Sequence, residues 1–512
     1  AAFTLFGDFS PAAGTFNPLA DFGGPIQHVR ATGACYPDIV PPETIDPVIQ
    51  GGIDPVTGGP VLGARRAIGE RGAPPYIGRG LIEAIFADDI VADDDPEDRQ
   101  GHDSSLIPRP TLANSGCRTD CISGRHNENA PGFAFPVLDP VVRVARFGLR
   151  GFGPSLIQFM LGGTQQEIGI TNPFAPSENN NNQNAGRVCD IAPDPELTTD
   201  DILDLRRLLR LISLPDLDPC VLGTSTACLT TGNTGSQGTM RASMENGARL
   251  FGVDLAAFRS RMIPGQPVVG DARGINQVDR QLNCVGCHTP IVRTGQSPSE
   301  LGAQHLNNRW VPLFSNLLLH DMGQIPTATS PTGLSNPVPP NPTRDLLRRD
   351  GTFEISRNLA DFALPGQGLA FGTEWRTPPL MGIGKIGPPF LHDLRVYLSN
   401  RSHANGDGPI PASTTGSNST GSNIRFTVDS LDAALGAVIE LHDLPDPEGV
   451  PLPGGRPMAL VGSCPVTTGG SAAVICPPLA SPSRSEARNV MQRWRALTPQ
   501  EQQDVINFMK AL

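Results

Sequence analysis

The chain has 512 residues, enough for two or three domains that each bury a core. Its 57 Gly and 52 Pro make up about a fifth of the residues and aromatics only 5%, a balance that implies long irregular segments over small helical cores. A net charge of −12 argues against nucleic acid and anionic membrane surfaces and suits docking to a basic partner protein.

No apolar run reaches the length of a bilayer span, so no transmembrane segment is expected. The start at Ala1 lacks a basic signal-peptide region, and the chain reads as already processed. Residues 1 to about 70 show little periodicity and read as loop with short strands. His28 and His126 lie in polar surroundings and read as exposed or loop-bonded histidines. Between Leu197 and Pro215 a helix is expected, capped by Thr198 or Thr199, with Asp200 and Asp201 at its positive end and Arg206, Arg207 and Arg210 at its negative end. Ile202, Leu205, Leu208, Leu209 and Ile212 would be its buried stripe. Met240, Met244, Ala248, Leu250 and Phe251 mark a second helix.

Cys284-Val285-Gly286-Cys287-His288 then has the C-x-x-C-H spacing of c-type haem attachment. Two thiols three positions apart can add to the two vinyl groups of one haem edge, and the next histidine reaches the iron as proximal ligand. Chance would produce the pattern in about three chains in a thousand of this composition. A structural zinc site would need a second pair of soft ligands, and no other C-x-x-C occurs. Further on, Leu435 to Leu441 forms an apolar helix ending in His442, and a final helix has Thr498 as cap, Pro499 at its first position, Glu501 completing a capping box, and Val505, Phe508, Met509 and Leu512 on one face.

The two capped helices suggest a repeat, and a second pair of segments supports it. Ala73-Pro74-Pro75-Tyr76-Ile77-Gly78-Arg79-Gly80-Leu81-Ile82 aligns with Thr377-Pro378-Pro379-Leu380-Met381-Gly382-Ile383-Gly384-Lys385-Ile386, each about 120 residues before a closing helix. A first-half counterpart of the haem motif would fall upstream of Ala1. Cys117 and Cys121 do not replace it; C-x-x-x-C without a following histidine reads as a disulfide loop. Cys220 with Cys228, and Cys464 with Cys476, bracket short loops and are expected as local bridges, while Cys35, Cys117, Cys121 and Cys189 can pair in three ways. Thioether-bound haem and disulfides both place the protein in a periplasm or outside the cell.

These segments resemble the di-haem oxidoreductase family of peroxidase-like proteins, relatives of bacterial di-haem cytochrome c peroxidases, from roughly residue 65 to the end. The first half carries the likeness in Arg79 to Ile85, Ile122 to Arg125, Arg146-Phe147-Gly148 and Glu167 to Pro173; the second in Cys284 to His288, Leu317 to Gly323, Glu374 to Leu380 and Phe390 to Asp393. The resemblance implies a mostly α fold of two cytochrome-c-like domains with long irregular, Pro/Gly-rich insertions. Residues 1–235 would be a degenerate domain without a haem motif, because the family's first C-x-x-C-H would lie before Gly23-Gly24-Pro25, and residues 236–512 would hold one covalent haem c. By similarity the sixth iron ligand is His442, seven residues after Leu435, with His320 and Met322 as alternatives. His392 would hydrogen-bond a haem propionate, and the guanidinium forks of Arg376 and Arg395 suit propionates as well as they suit the surface. Trp310 and Trp375 would lie on an electron path or pack against haem or core. Glu167 would do acid–base work at a first-half site or sit solvated at a helix end. A calcium between the halves is implied only by the family. Bis-histidine iron has no open position, so the expected activity is electron transfer by an extracytoplasmic c-type cytochrome. The alternatives are a peroxidase-like di-haem oxidoreductase whose second haem comes from an upstream segment or a haem-bearing partner chain, and a docking subunit of a larger redox assembly.

Overall fold

The computed structural model describes residues 65–94, 143–178, 192–274, 281–296, 303–322, 374–392, 430–442 and 485–512, with shorter pieces that include 2–10, 15–17, 35–38, 124–128, 396–398 and 424–428. Arg395, Cys117, Cys121, Cys464 and Cys476 lie outside the described residues. The helices are α1 (Arg79–Glu83), α2 (Ala87–Val91), α3 (Leu156–Ile168), α4 (Thr199–Leu211), α5 (Pro219–Leu222), α6 (Met240–Phe251), α7 (Leu255–Met262), α8 (Ile383–Ile386), α9 (Leu431–Glu440), α10 (Arg488–Ala496) and α11 (Pro499–Lys510). The described fold is mostly helical, with strands confined to small two- and three-stranded sheets. In the amino-terminal region Ala2–Ser10 pairs antiparallel with Thr15–Asn17 and Arg65–Gly72. No described helix is long and apolar enough to cross a membrane.

The repeated sequence elements make matching contacts. Thr198 and Thr498 each accept from the N–H three residues on, at Asp201 and Glu501, whose carboxylates return the bond to the threonine N–H. The Gly78 N–H donates to the Ile212 carbonyl beyond α4 (3.1 Å), and the Gly382 N–H donates to the Leu512 carbonyl beyond α11 (2.8 Å). Both glycines have positive φ, +65° and +75°, and open the short helices α1 and α8. A Cβ on Gly80 would stand 2.7 Å from the Arg210 backbone, and one on Gly384 2.1 Å from the Lys510 carbonyl. The elements also meet each other reciprocally, Gly78 against Met381 and Gly382 against Ile77.

One core gathers α5, α6, α7, α10 and α11 around Met244, Leu250, Phe251, Phe258, Phe314 and Phe508. Leu217, Cys220 and Val221 belong to this core, so the chain from α5 onward packs with the carboxy-terminal helices. A second core joins the halves, setting Ile82, Ile85, Phe147 and Leu156 against Val311, Leu313, Leu317 and Leu318. The Cys220–Cys228 bridge is present as expected, and Cys35 pairs with Cys189 across 154 residues of sequence.

The face that α4 buries differs from the expected leucine stripe. Ile202 is buried, but Leu205 and Leu208 are 36% and 57% exposed. The inward face carries cations instead: Arg210 Nε lies 2.6 Å and Arg206 Nη2 3.4 Å from the carboxylate of Glu83 on α1. A carboxylate at 9% exposure needs charged partners more than a leucine needs burial, and this turns the helix.

The glycine contacts give a direct check. Gly384→Ala and Gly80→Ala should each destabilise the protein by about 1–3 kcal/mol through overpacking, whereas Gly238→Ala, with nothing within 4 Å of its Cβ, should stay within about 0.5 kcal/mol. Equal urea midpoints for the three variants would contradict the docking of the repeated elements.

Candidate haem-attachment site

The site is built where α6 and α11 cross. Gly247 permits the approach: a Cβ there would lie 2.0 Å from the Asp504 carbonyl and 2.9 Å from Phe508 Cβ. Buried Asp504 ties the crossing by accepting from Ser243 Oγ (2.5 Å), Asn246 Nδ2 (2.7 Å) and both the Oγ and the N–H of Ser236. Phe251, Phe314 and Phe508 meet edge to face with centroids 5.5–6.1 Å apart. The helix α6 stops at Gly252 (φ +108°), beside Val285. Leu282 donates to the Leu250 carbonyl, and Asn283, with φ +65°, turns the chain into the 3-10 turn Cys284–Gly286. Val285 is fully buried in the core, so this turn anchors the motif by its middle residue.

A second segment holds the motif from the other side. Phe314 and Leu317 adopt positive φ, and the N–H groups of Ser315 and Asn316 donate to the carbonyls of Thr289 and Cys287, both at 3.0 Å. The Phe314 carbonyl accepts from His288 Nδ1 (3.0 Å), which leaves the Nε2 lone pair of His288 unclaimed. Beyond α9, His442 Nδ1 likewise donates to a backbone carbonyl, that of Val438 (2.8 Å). The two ring centroids lie 6.3 Å apart with the planes tilted by 59°. Two imidazoles on opposite sides of one metal ion, each bonded at about 2 Å with the ring centre roughly 1.2 Å farther out, would stand about 6.4 Å apart.

The protonation states agree with this geometry. Burial pushes His288 down to about 3, helped by the neighbouring His442 and His320 imidazoles and opposed by the Phe314 carbonyl. Burial also lowers His442. Both rings are therefore neutral, the form that binds metal. Cys284 and Cys287, neither of them in a disulfide, are half-buried. The paired cysteines, the adjoining histidine and the second imidazole form a donor set that fits haem c.

His320 is placed differently. Its Nδ1 lies 2.7 Å from Glu486 and 3.4 Å from Cys287 Sγ, while its Nε2 is 3.0 Å from Asn316 Nδ2, so both nitrogens are engaged. Burial would lower this histidine, but the Cys287 sulfur and the Glu486 carboxylate outweigh it and raise it to about 10. Met322 packs with Trp375, Val438 and Leu441, against the helix that carries His442. Trp375 lies between the guanidinium of Arg150 (3.9 Å) and the stacked ring of His392 (3.7 Å, 18°). His392 thus joins the cluster beside α9 as a stacking partner of Trp375. Trp310 is flanked by Arg261 and Arg293, at 5.2 and 5.3 Å, and Glu167 is exposed in the last turn of α3.

Arg376 stands on the other side of a strand pair. Leu319–Asp321 runs antiparallel to Glu374–Arg376, with His320 opposite Trp375 and Leu319 opposite Arg376. Directly opposed residues share a face and neighbours alternate, so His320 and Trp375 face the cysteines and Arg376 faces away. Its Nε donates to the Gly148 carbonyl (2.8 Å) and its Nη1 to the Thr377 carbonyl (3.2 Å).

Sequence reasoning missed the orienting carbonyl of Phe314, and Asn316 and Glu486 around His320. A backbone carbonyl carries no residue signature, and Glu486 lies 166 residues from His320 in sequence. His28 and His126 are bonded to carboxylates, those of Asp38 and Asp94 respectively. No family model, curated protein or solved structure matches the chain.

The two buried histidines set opposite pH limits on the cofactor-free chain. The contribution of His288 is complete above its ordinary value of 6.5 and is lost as pH falls toward 3; that of His320 is complete below 6.5 and is lost as pH rises toward 10. Urea midpoints should fall at both extremes, and His320→Gln should remove the alkaline fall while lowering stability at pH 6 by about 3–5 kcal/mol. An alkaline loss that persists undiminished in His320→Gln would contradict the assignment.

Proposed function

We propose that this chain binds one haem c covalently through Cys284 and Cys287, with His288 and His442 as the residues that would hold its iron, and transfers single electrons outside the cytoplasm. The supporting observation is the pair of enclosed neutral imidazoles, centroids 6.3 Å apart, each with Nδ1 tied to a backbone carbonyl and with no partner for Nε2 among the described residues, in a chain whose Cys284 and Cys287 form no disulfide. Iron held by two histidines supplies a one-electron couple with no position open to substrate.

The chain's own residues would set the properties of that couple. The Phe314 and Val438 carbonyls fix the tautomer and direction of the two rings and increase their basicity. Phe251, Phe258, Phe314 and Phe508 exclude water on the His288 side. The His320–Glu486 pair balances its own charge, which limits the field it imposes at the edge marked by Cys287. Crossing of the helix before the motif with the last helix, at Gly247, supports a cytochrome-c-like second half. Disulfides suit an extracytoplasmic location, and the acidic chain suits a basic redox partner protein. A closed ligand pair favours the electron carrier over the peroxidase-like alternative from the family resemblance.

Replacing each candidate ligand tests the reading. The ferric protein should give a low-spin spectrum, His442→Ala should convert it to high spin without loss of covalent haem, and His320→Gln should leave the spin state unchanged. A low-spin His442→Ala protein would overturn the assignment of His442.

A further inference from the structure

The side of the strand pair that faces away from the cysteines carries charges with no counter-ion among the described residues. Arg79 and Arg376 are 4% and 5% exposed. Among the described residues each donates only to backbone carbonyls, Arg79 Nε to Pro75 and Arg376 to Gly148 and Thr377. Both terminal nitrogens of Arg79 and Nη2 of Arg376 make no hydrogen bond to the described protein and retain accessible surface. The two side chains converge on one loop: the Arg79 guanidinium lies 5.8 Å from the Phe147 ring and 5.3 Å from Phe159, and Arg376 bonds to Gly148, next in sequence to Phe147. Gly151 makes room there, since a Cβ would stand 3.0 Å from Arg376 Cδ.

Nearby carboxylates are already committed. Glu374, two residues from Arg376, is held by Arg125 at 2.5 and 3.0 Å. Glu83 is shared between Arg206 and Arg210. Burial lowers Arg376 to about 9, with Arg79 adding repulsion, and burial lowers Arg79 to about 10. Enclosing two like charges without neutralisation is costly, by several kcal/mol per ion.

We infer that the space between Arg79 and Arg376 is an oxyanion site, where guanidinium groups left unsatisfied by the protein clasp a carboxylate- or phosphate-bearing ligand. The site is separate from the proposed haem site, because Arg376 and Trp375 point to opposite faces of their strand. Two sources share this chemistry: a free small anion, or the carboxylates of a tightly held organic ligand. The inference does not depend on haem attachment, so either can fail without the other.

The test uses the full chain as purified. Thermal unfolding is followed with inorganic phosphate or succinate against sodium chloride at matched ionic strength, and denatured protein is analysed by mass spectrometry for a released carboxylate-bearing compound. A free-anion site predicts a rise of several degrees in Tm for wild type that is lost in Arg79→Gln and reduced in Arg79→Lys. A resident ligand predicts about one released equivalent from wild type and much less from Arg79→Gln. Arg79→Gln removes one buried charge and one carbonyl bond, so without anion it should unfold no more readily than wild type stripped of ligand. Equal anion shifts in wild type and Arg79→Gln, or neither a specific shift nor a released compound, would overturn the site.

Discussion

The hydrogen bond from His288 Nδ1 to the Phe314 carbonyl is the constraint on which the proposed site depends. It exists only because Phe314 adopts a left-handed backbone conformation and because Ser315 and Asn316 strap the same segment to Thr289 and Cys287. Behind that strap, the aromatic contacts of Phe251, Phe314 and Phe508 hold the α6–α11 crossing that positions the motif. A side chain at Gly247 would force those helices apart and carry His288 away from His442. Helix packing, ring orientation and the 6.3 Å spacing are thus one connected geometry.

Much of the framework was legible in the sequence because it rests on local chemistry. Thr198 and Thr498 with their acidic partners mark helix starts by hydrogen bonds that span three residues, and the structure forms both. The Pro-Pro and glycine repeat was visible because only glycine fits where α1 and α8 meet Arg210 and Lys510. Cys220 and Cys228 bracket a short loop and are bridged. The paired cysteines and His288 stand out by their spacing alone, and the His442 ring lies with its centroid 6.3 Å from that of His288.

What escaped the sequence depends on distant partners. A leucine pattern named Leu205 and Leu208 as buried on α4, but Glu83, more than a hundred residues earlier, draws Arg206 and Arg210 inward and leaves those leucines in solvent. Arg376 looked like a propionate partner because an arginine fork suits a carboxylate. Its strand register turns it away from the cysteines, toward Arg79 and the Gly148 loop. The same register brings His320 and Trp375 to the cysteine side, so one residue of alternation separates the proposed redox centre from the proposed oxyanion site.

The central claim is a single haem on this chain, closed by two histidines. It is tested most directly by measuring haem per chain through pyridine haemochrome and intact mass, with the ferric electron paramagnetic resonance spectrum taken on the same sample. One covalent haem per chain with a wholly low-spin ferric signal is the predicted result. No covalent haem, or a high-spin signal from the haem attached at Cys284 and Cys287, would contradict it.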